Sequence, residues 1–293
     1  FDMRVPGKSP AEIADHYQCA IEIARWLDRK AGFSLAISEH HCSEDGYIPV
    51  PLMLAASMAA VTENISIMAA ATLLPLYDPV RLAEEMIVLD YIGRGRVSYV
   101  LGIGYRPEEY ELFGLDFAKR GAIAEEKLKQ LFDLLDKAHL GRGMPRVTPA
   151  PFSGQRPAIF WGGGSKPAAR RAGRHGLGFI AQNAAPGLEE AYQQACREAG
   201  HEPGLCMIPP SAMPGVVFVA DDLDKAWEEV GPHLLADATS YAEWNNRAGM
   251  DAAILSQKTS VDALREEQGN YRIVDVEGAV ELIRQWGRLP LHP

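Results

Sequence analysis

The sequence predicts an α/β chain of the (β/α)₈ barrel class, a single domain over residues 1–293 with an insertion after the seventh strand. Three observations predict it. Strand-like apolar runs alternate with amphipathic stretches along the chain. The runs are mostly apolar throughout rather than alternating, as in strands of a parallel sheet covered by helices. Eight strand candidates in 293 residues match the order and length of a barrel. A doubly wound open sheet also alternates, but no Gly-x-Gly-x-x-Gly turn follows the first strand, which places it second.

Taken in order, a short strand is expected at Phe1–Arg4 and a helix at Pro10–Ala31. Ser9 can cap that helix, Pro10 suits its first position, Glu12 completes a capping box, and Gly32 supplies a stop. Strand Phe33–Ser38, helix Leu52–Glu63, strand Ile65–Ala70, helix Pro79–Tyr91 and strand Arg96–Gly102 follow. A long charged helix is expected near Ala122–Ala138, then a Gly/Pro-rich connection at Gly141–Pro157 and strand Ala158–Trp161. Helix Lys166–Arg174, strand Gly178–Ala181, helix Gly187–Ala199 and strand Gly215–Ala220 continue the alternation. Leu223–Glu267 reads as helical with breaks, Gly278–Trp286 as a helix and Arg288–His292 as a last strand. With no helix after that strand, the reading expects a chain clipped at its ends.

The formal charge of −10 opposes binding to nucleic acid or anionic lipid, because the surface as a whole repels polyanions. An anionic ligand must meet a local basic pocket. Four separated cysteines without a CxxC spacing indicate neither a disulfide framework nor a structural zinc site, and fit a reducing cytoplasm. The longest apolar stretch, around Met53–Ala60, is too short to span a bilayer.

In a barrel, chemistry sits at the strand ends and the loops after them. "ISEHHCSEDG", residues 37–46, ends the second expected strand with Glu39, His40, His41, Cys42 and two more carboxylates. Adjacent side chains of a strand face opposite ways, so either one histidine works and the other packs, or the strand ends here. A metal reading is disfavoured by the adjacent spacing and the lack of a second ligand cluster. "MAAATLLP" at Met68–Pro75 puts small residues at the rim, leaving room for a flat ligand or simply for close packing. "WGGGSKPAARRAGRHG", Trp161–Gly176, sets three glycines before a helix that Ser165 can cap. Exposed first-turn amides and the positive helix end make an anion site there, with Lys166, Arg170, Arg171 and Arg174 adding charge or solvating the helix. In "RVSYVLGIGYRPEEYELFGLDFAKR", Arg96–Arg120, the aromatics Tyr105, Tyr110 and Phe113 line a wall or anchor the loop. Arg120 can meet a phosphate or pair with Asp116.

Read together, "FDMR", "SEHH…DGY", "LLPLYDPVRLAEEMIVLDYIGRGR", "LGIGYRPEEYELFG" and "WGGGS" resemble the bacterial luciferase-like flavin-dependent monooxygenase family, in order over roughly residues 1–185. The resemblance implies a (β/α)₈ barrel that binds reduced FMN, or in some branches the deazaflavin coenzyme, at its C-terminal rim, as a homodimer. It implies His40 as the active-site histidine, flanked by Glu39 and His41, and a cis peptide at Ala70-Ala71 beneath the flavin. Gly163, Gly164, Ser165 and Arg120 match the phosphate site, and Gly104 and Tyr105 join the cofactor-binding set. Arg106 stands near the place of another phosphate-binding arginine without matching it.

The implied activity is oxygenation of a small organic substrate by O₂ and FMNH₂ through a C4a-peroxyflavin, the reduced flavin coming from a separate reductase. An imidazole titrates near neutrality and suits proton exchange there. Hydride transfer with the deazaflavin coenzyme is the enzymatic alternative, and a non-catalytic flavin-binding subunit the other. No nucleic acid, membrane or metal enters this reading. The helix residues Leu82, Met86 and Leu89 can serve a dimer interface or pack on the chain's own strands.

Overall fold

A six-stranded sheet in unbroken chain order carries the site. The structure is a computed structural model describing residues 1–30, 34–140, 147–210, 213–247 and 256–286. Strands β1 (Ser34–Ile37), β2 (Ser66–Leu73), β3 (Val97–Gly102), β4 (Ala158–Gly163), β5 (Gly178–Ala181) and β6 (Cys206–Met207) lie side by side. The pairs from β1 to β4 are parallel. Helices α2 (Pro51–Ala59), α3 (Pro79–Gly93), α5 (Arg120–Leu140), α6 (Lys166–Arg174) and α7 (Leu188–Ala199) make the connections, preceded by α1 (Pro10–Asp28), with the short α4 (Pro107–Leu112) after β3.

One face of this sheet forms the core. Leu35, Ile37, Ile67, Ala69, Val97, Tyr99, Leu101 and Trp161 are buried, as are Met58 on α2, Leu82, Met86 and Leu89 on α3, and Leu128 and Leu131 on α5. Leu82, Met86 and Leu89 therefore pack within the chain rather than offering a surface. The alternate strand positions are uncharged as well, with Ala36, Ala70, Gly102 and Gly162 beside the larger Met68, Val100 and Phe160. That explains why the runs read as apolar throughout while burial along β1 alternates.

At the opposite end of the strands from the histidines, Arg96 and Asp28 hold the turn after α2. The Arg96 guanidinium donates to the carbonyls of Ala59 (3.1 Å), Thr62 (2.8 Å) and Ile65 (2.8 Å). The Asp28 carboxylate accepts from the amides of Glu63, Asn64 and Ile65 at 3.0, 2.7 and 2.8 Å. These bonds end α2 at Ala59, short of the Glu63 expected from periodicity alone.

Cα packing divides the chain into two compact units, 1–180 with 189–206, and 181–188 with 207–293. In the second, β7 (Val216–Val219) and β8 (Tyr271–Val274) pair in parallel. Trp227, Leu234 and Ala238 of α8 (Leu223–Arg247) and Leu264 of α9 (Val261–Glu267) pack with Tyr271 and Ile273. Helix α10 (Val276–Trp286) follows, the Asp275 carboxylate accepting from Gly278 N at 2.8 Å.

The observed strands differ from the expected set. Phe1–Arg4 is not a strand: Met3 takes a left-handed φ of 64°, which breaks a ladder there. The segment still lies along β1, since Ser38 N donates to Phe1 O (3.1 Å) and Ile48 N to Asp2 O (2.8 Å). β6 and β8 were not expected. Gly32 and the expected strand Arg288–His292 fall outside the described residues, as do residues 141–146 of the connection. The remaining elements appear with shifted ends, and α6 and β5 have the expected ones.

Candidate active site

β1 ends at Ile37, and the chain turns away with Cys42 at a φ of 52°, so the two histidines leave the strand before alternation constrains them. Each meets a different carboxylate. His40 Nδ1 lies 2.7 Å from Glu109 Oε1, and His41 Nε2 lies 2.9 Å from Glu39 Oε1. All four side chains are nearly closed off from solvent, the two carboxylates completely.

Glu109 comes from α4, in the loop after β3. Its Oε1 also accepts from His41 N at 3.0 Å and from Arg106 Nη1 at 3.4 Å. Arg106 reaches on to His41 O (2.6 Å) and Cys42 O (3.3 Å), tying the loop after β1 to the loop after β3. Oε2 of Glu109 is buried without a hydrogen-bond partner and lies 3.6 Å from where a Cβ on Gly104 would stand.

The other nitrogen of His40, Nε2, is 3.0 Å from the Tyr105 hydroxyl. Burial pushes the Tyr105 phenol upward, so it keeps its proton and can donate to Nε2. An ionised Glu109 only accepts, so Nδ1 must carry the hydrogen in that bond. Tyr105, His40 and Glu109 thus form one hydrogen-bonded chain, with Tyr47 (4.8 Å between centroids) and Tyr105 (5.3 Å) set edge-on to the imidazole.

Glu39 anchors the second chain. Its Oε2 accepts from Leu73 N (3.2 Å) and the Tyr77 hydroxyl (2.9 Å), at the end of β2. Burial raises the Glu39 carboxyl above its ordinary range, against the opposing bonds from His41, Leu73 and Tyr77. Lys127 of α5 holds the turn that carries Tyr77, donating to Pro75 O (2.6 Å) and Tyr77 O (2.7 Å).

Beside these chains the ends of β2, β3 and β4 carry small residues. The Ala70-Ala71 peptide is cis, and the register with β3 shifts there so that Ala71 has no strand partner. A Cβ on Gly102 would lie 3.2 Å from Ala71 Cβ, and one on Gly162 2.8 Å from Val100 Cγ1. Gly163 has a φ of 144°, and a Cβ there would be 2.8 Å from Ala168 Cβ. At Gly162 and Gly163 a side chain would collide with the protein itself, and at Gly102 Ala71 would have to give by a few tenths of an ångström, so these strand ends pack closely against their own neighbours.

Gly163, Gly164 and Ser165 lead into α6, where Ser165 Oγ accepts from Ala168 N at 3.4 Å and Pro167 has no N–H. The amides of Gly164, Ser165 and Lys166 are the remaining donors of that turn. Arg120 is held locally: it donates to Phe117 O at 3.0 Å and lies over the Phe117 ring at 4.1 Å, while Lys119 takes Asp116. Arg171 and Arg174 are bound to Glu125 of α5 at 3.1 and 3.5 Å, so they clamp two helices rather than await an anion.

The structure brings Glu39, His40, His41 and Tyr105 together and places Gly104 beside Glu109. Sequence reading missed Glu109, Tyr77 and the structural task of Arg106. A carboxylate in the loop directly after a strand was the available signal for Glu109, but "RPEEY" offers two and does not say which turns inward. Among the described residues, no His/Cys/Asp/Glu group is arranged to hold a metal ion, and no helix is long and apolar enough to cross a membrane.

Residues 2–281 match the family described as luciferase-like monooxygenase. The alkanal monooxygenase alpha chain of Photorhabdus luminescens is 26% identical over 200 residues, covering 62% of this chain and 55% of the relative. The chain spans about half the length of the curated relatives it matches. Among solved structures, the oxygenating constituent of 3,6-diketocamphane monooxygenase from Pseudomonas putida, in complex with FMN, superposes with a TM-score of 0.67 at 22% identity, covering 98% of this chain and 96% of that one. An F420-dependent secondary alcohol dehydrogenase gives a TM-score of 0.63 at 19% identity over 94% and 86% of the two chains. Both structural likenesses speak to the fold.

Proposed function

The chain belongs to the luciferase-like monooxygenase family, and from that premise we propose that it is a flavin-dependent monooxygenase using reduced FMN and O₂ on a small organic substrate. The observation that carries the proposal is the Tyr105–His40–Glu109 chain beside strand termini built of alanine and glycine. The residues fit a flavin: Ala70, Ala71, Gly102 and Gly104 would face its ring, and the Gly163–Ser165 turn with the start of α6 would take its phosphate. Bound there, reduced flavin supplies the electrons that activate oxygen.

The protein's own part is proton handling and orientation. Glu109 fixes the imidazole of His40 so that Nε2 points to Tyr105, where a proton can be given and recovered. Glu39 holds His41 and ties the end of β2 through Leu73 N and Tyr77. Arg106 locks the two rim loops together. Completion of the parallel sheet to a single (β/α)₈ barrel domain, a homodimer, a separate flavin reductase and a cytoplasmic location belong to the same proposal.

The deazaflavin-dependent dehydrogenase with the same fold keeps hydride transfer as the second reading. Titration of the purified protein separates them: reduced FMN consuming oxygen with product formation supports the first, and reduction of the deazaflavin by an alcohol supports the second. His40→Ala should leave FMN affinity largely intact and abolish oxygenated product. Undiminished product from that variant removes His40 from the mechanism.

A further inference from the structure

Neither nitrogen of the His40 imidazole is open to a ligand. Nδ1 is held by Glu109 at 2.7 Å and Nε2 by the Tyr105 hydroxyl at 3.0 Å, and the residue is only 6% exposed. Tyr47 and Tyr105 stand edge-on to the ring. With Nδ1 carrying the hydrogen that Glu109 accepts, Nε2 is the basic nitrogen, and the phenol proton occupies its lone pair. A proton reaching this imidazole from outside therefore crosses the Tyr105 oxygen first.

Tyr105 suits that passage. It is half-buried, directly after Gly104 at the end of β3, and its oxygen can still accept a hydrogen bond while donating to Nε2. Burial pushes its phenol up, so a free phenolate is disfavoured and each proton it gains must be matched by one it gives.

We propose that Tyr105 is the catalytic residue that touches the reacting ligand, and that His40, held by Glu109, is the relay behind it. The ligand's acidic proton passes to the phenol oxygen as the phenol's own proton passes to Nε2. Tyr105 stays neutral, His40 becomes an imidazolium facing Glu109, and the ligand keeps the electron pair; the reverse transfer returns the proton. This rests on the proposed function for the chemistry of the ligand and adds the residue that meets it.

Access to His40 is tested without any cofactor. Diethyl pyrocarbonate acylates unprotonated imidazole nitrogens that solvent reaches, and the exposed His16, His201 and His233 serve as references in peptide mass mapping. His40 should remain unmodified when those three are fully acylated, and Tyr105→Ala should make it reactive. His175, bound to Glu125 at 2.8 Å, should stay protected in that variant and so report an intact fold. Acylation of His40 in the natural protein alongside the references, or its continued protection in folded Tyr105→Ala, overturns the proposal.

The chemistry is tested with Tyr105→Phe, which keeps the ring and removes only the hydroxyl. With reduced FMN and decanal as the probe, kcat should fall about 100-fold or more with KM little changed, while affinity for oxidised FMN persists. An undiminished kcat overturns the proposal. A natural protein that forms no oxygenated product from any substrate offered with reduced FMN refutes the catalytic reading, and the acylation result still decides whether Tyr105 stands between His40 and a ligand.

Discussion

Removing Glu109 tests the centre of the site most directly, because one oxygen atom of this carboxylate receives three donors: His40 Nδ1 at 2.7 Å, His41 N at 3.0 Å and Arg106 Nη1 at 3.4 Å. Glu109→Ala leaves the Arg106 charge, 6% exposed, without its carboxylate and two further donors unpaired. Breaking a buried ion pair by deleting one partner costs about 3–5 kcal/mol, and the hydrogen bonds share in that figure rather than adding to it. Carbonyls of His41 and Cys42 still hold the guanidinium, which keeps the expected loss within that range.

A chain of this size moves its melting temperature by about 2 °C per kcal/mol, so Glu109→Ala should lower it by roughly 6–10 °C. Glu109→Gln keeps an acceptor for Nδ1 but places an NH₂ where Oε2 now has no partner, and should fall between the two. Circular-dichroism melts at several heating rates measure the loss, and ¹⁵N spectra of labelled histidine report the His40 ring. An alanine variant that melts within a degree or two of the natural protein with His40 signals unmoved would refute the reasoning.

Two further perturbations test the frame around the site. Burial raises the Glu125 carboxyl, but hydrogen bonds from His175 and Arg171 and the charge of Arg174 outweigh it and hold it at about 2. A depressed carboxyl contributes stability that is fully present above its unfolded value of about 4.3 and is lost as pH falls toward 2. Urea midpoints should decline in that window, and Glu125→Gln should show a flatter acid limb; an identical acid limb would remove Glu125 as its source. Gly173→Ala would place a Cβ 2.6 Å from Tyr192 O and 2.8 Å from Cys196 N, backbone atoms of α7 that cannot rotate away. Overpacking of about 1–3 kcal/mol should exceed the propensity gain of about 1 kcal/mol, and an unchanged urea midpoint would show that α6 and α7 have room to part.

What the sequence determined by itself is what short-range chemistry controls. The Ser9–Glu12 capping box and the Ser165 cap before α6 act over three residues, and both are formed. The order of strands and helices followed from the same local periodicity. So did the placement of the histidine pair and the glycine turn at strand ends. Phe1–Arg4 misled because nothing local announces that Met3 turns left-handed, and Tyr271–Val274 was hidden behind a long helical region.

Only the tertiary structure decided which acid serves which base. His40 and Glu109 are 69 positions apart, and Glu39 takes His41 rather than its immediate neighbour. That crossed pairing depends on parallel register bringing the loops after β1 and β3 to the same end of the sheet, and on Arg106 joining them. Likewise the cations near the glycine turn look available in sequence, yet helix packing gives Arg171 and Arg174 to Glu125. Charges seek partners through space, so a linear chain names the candidates while packing chooses among them.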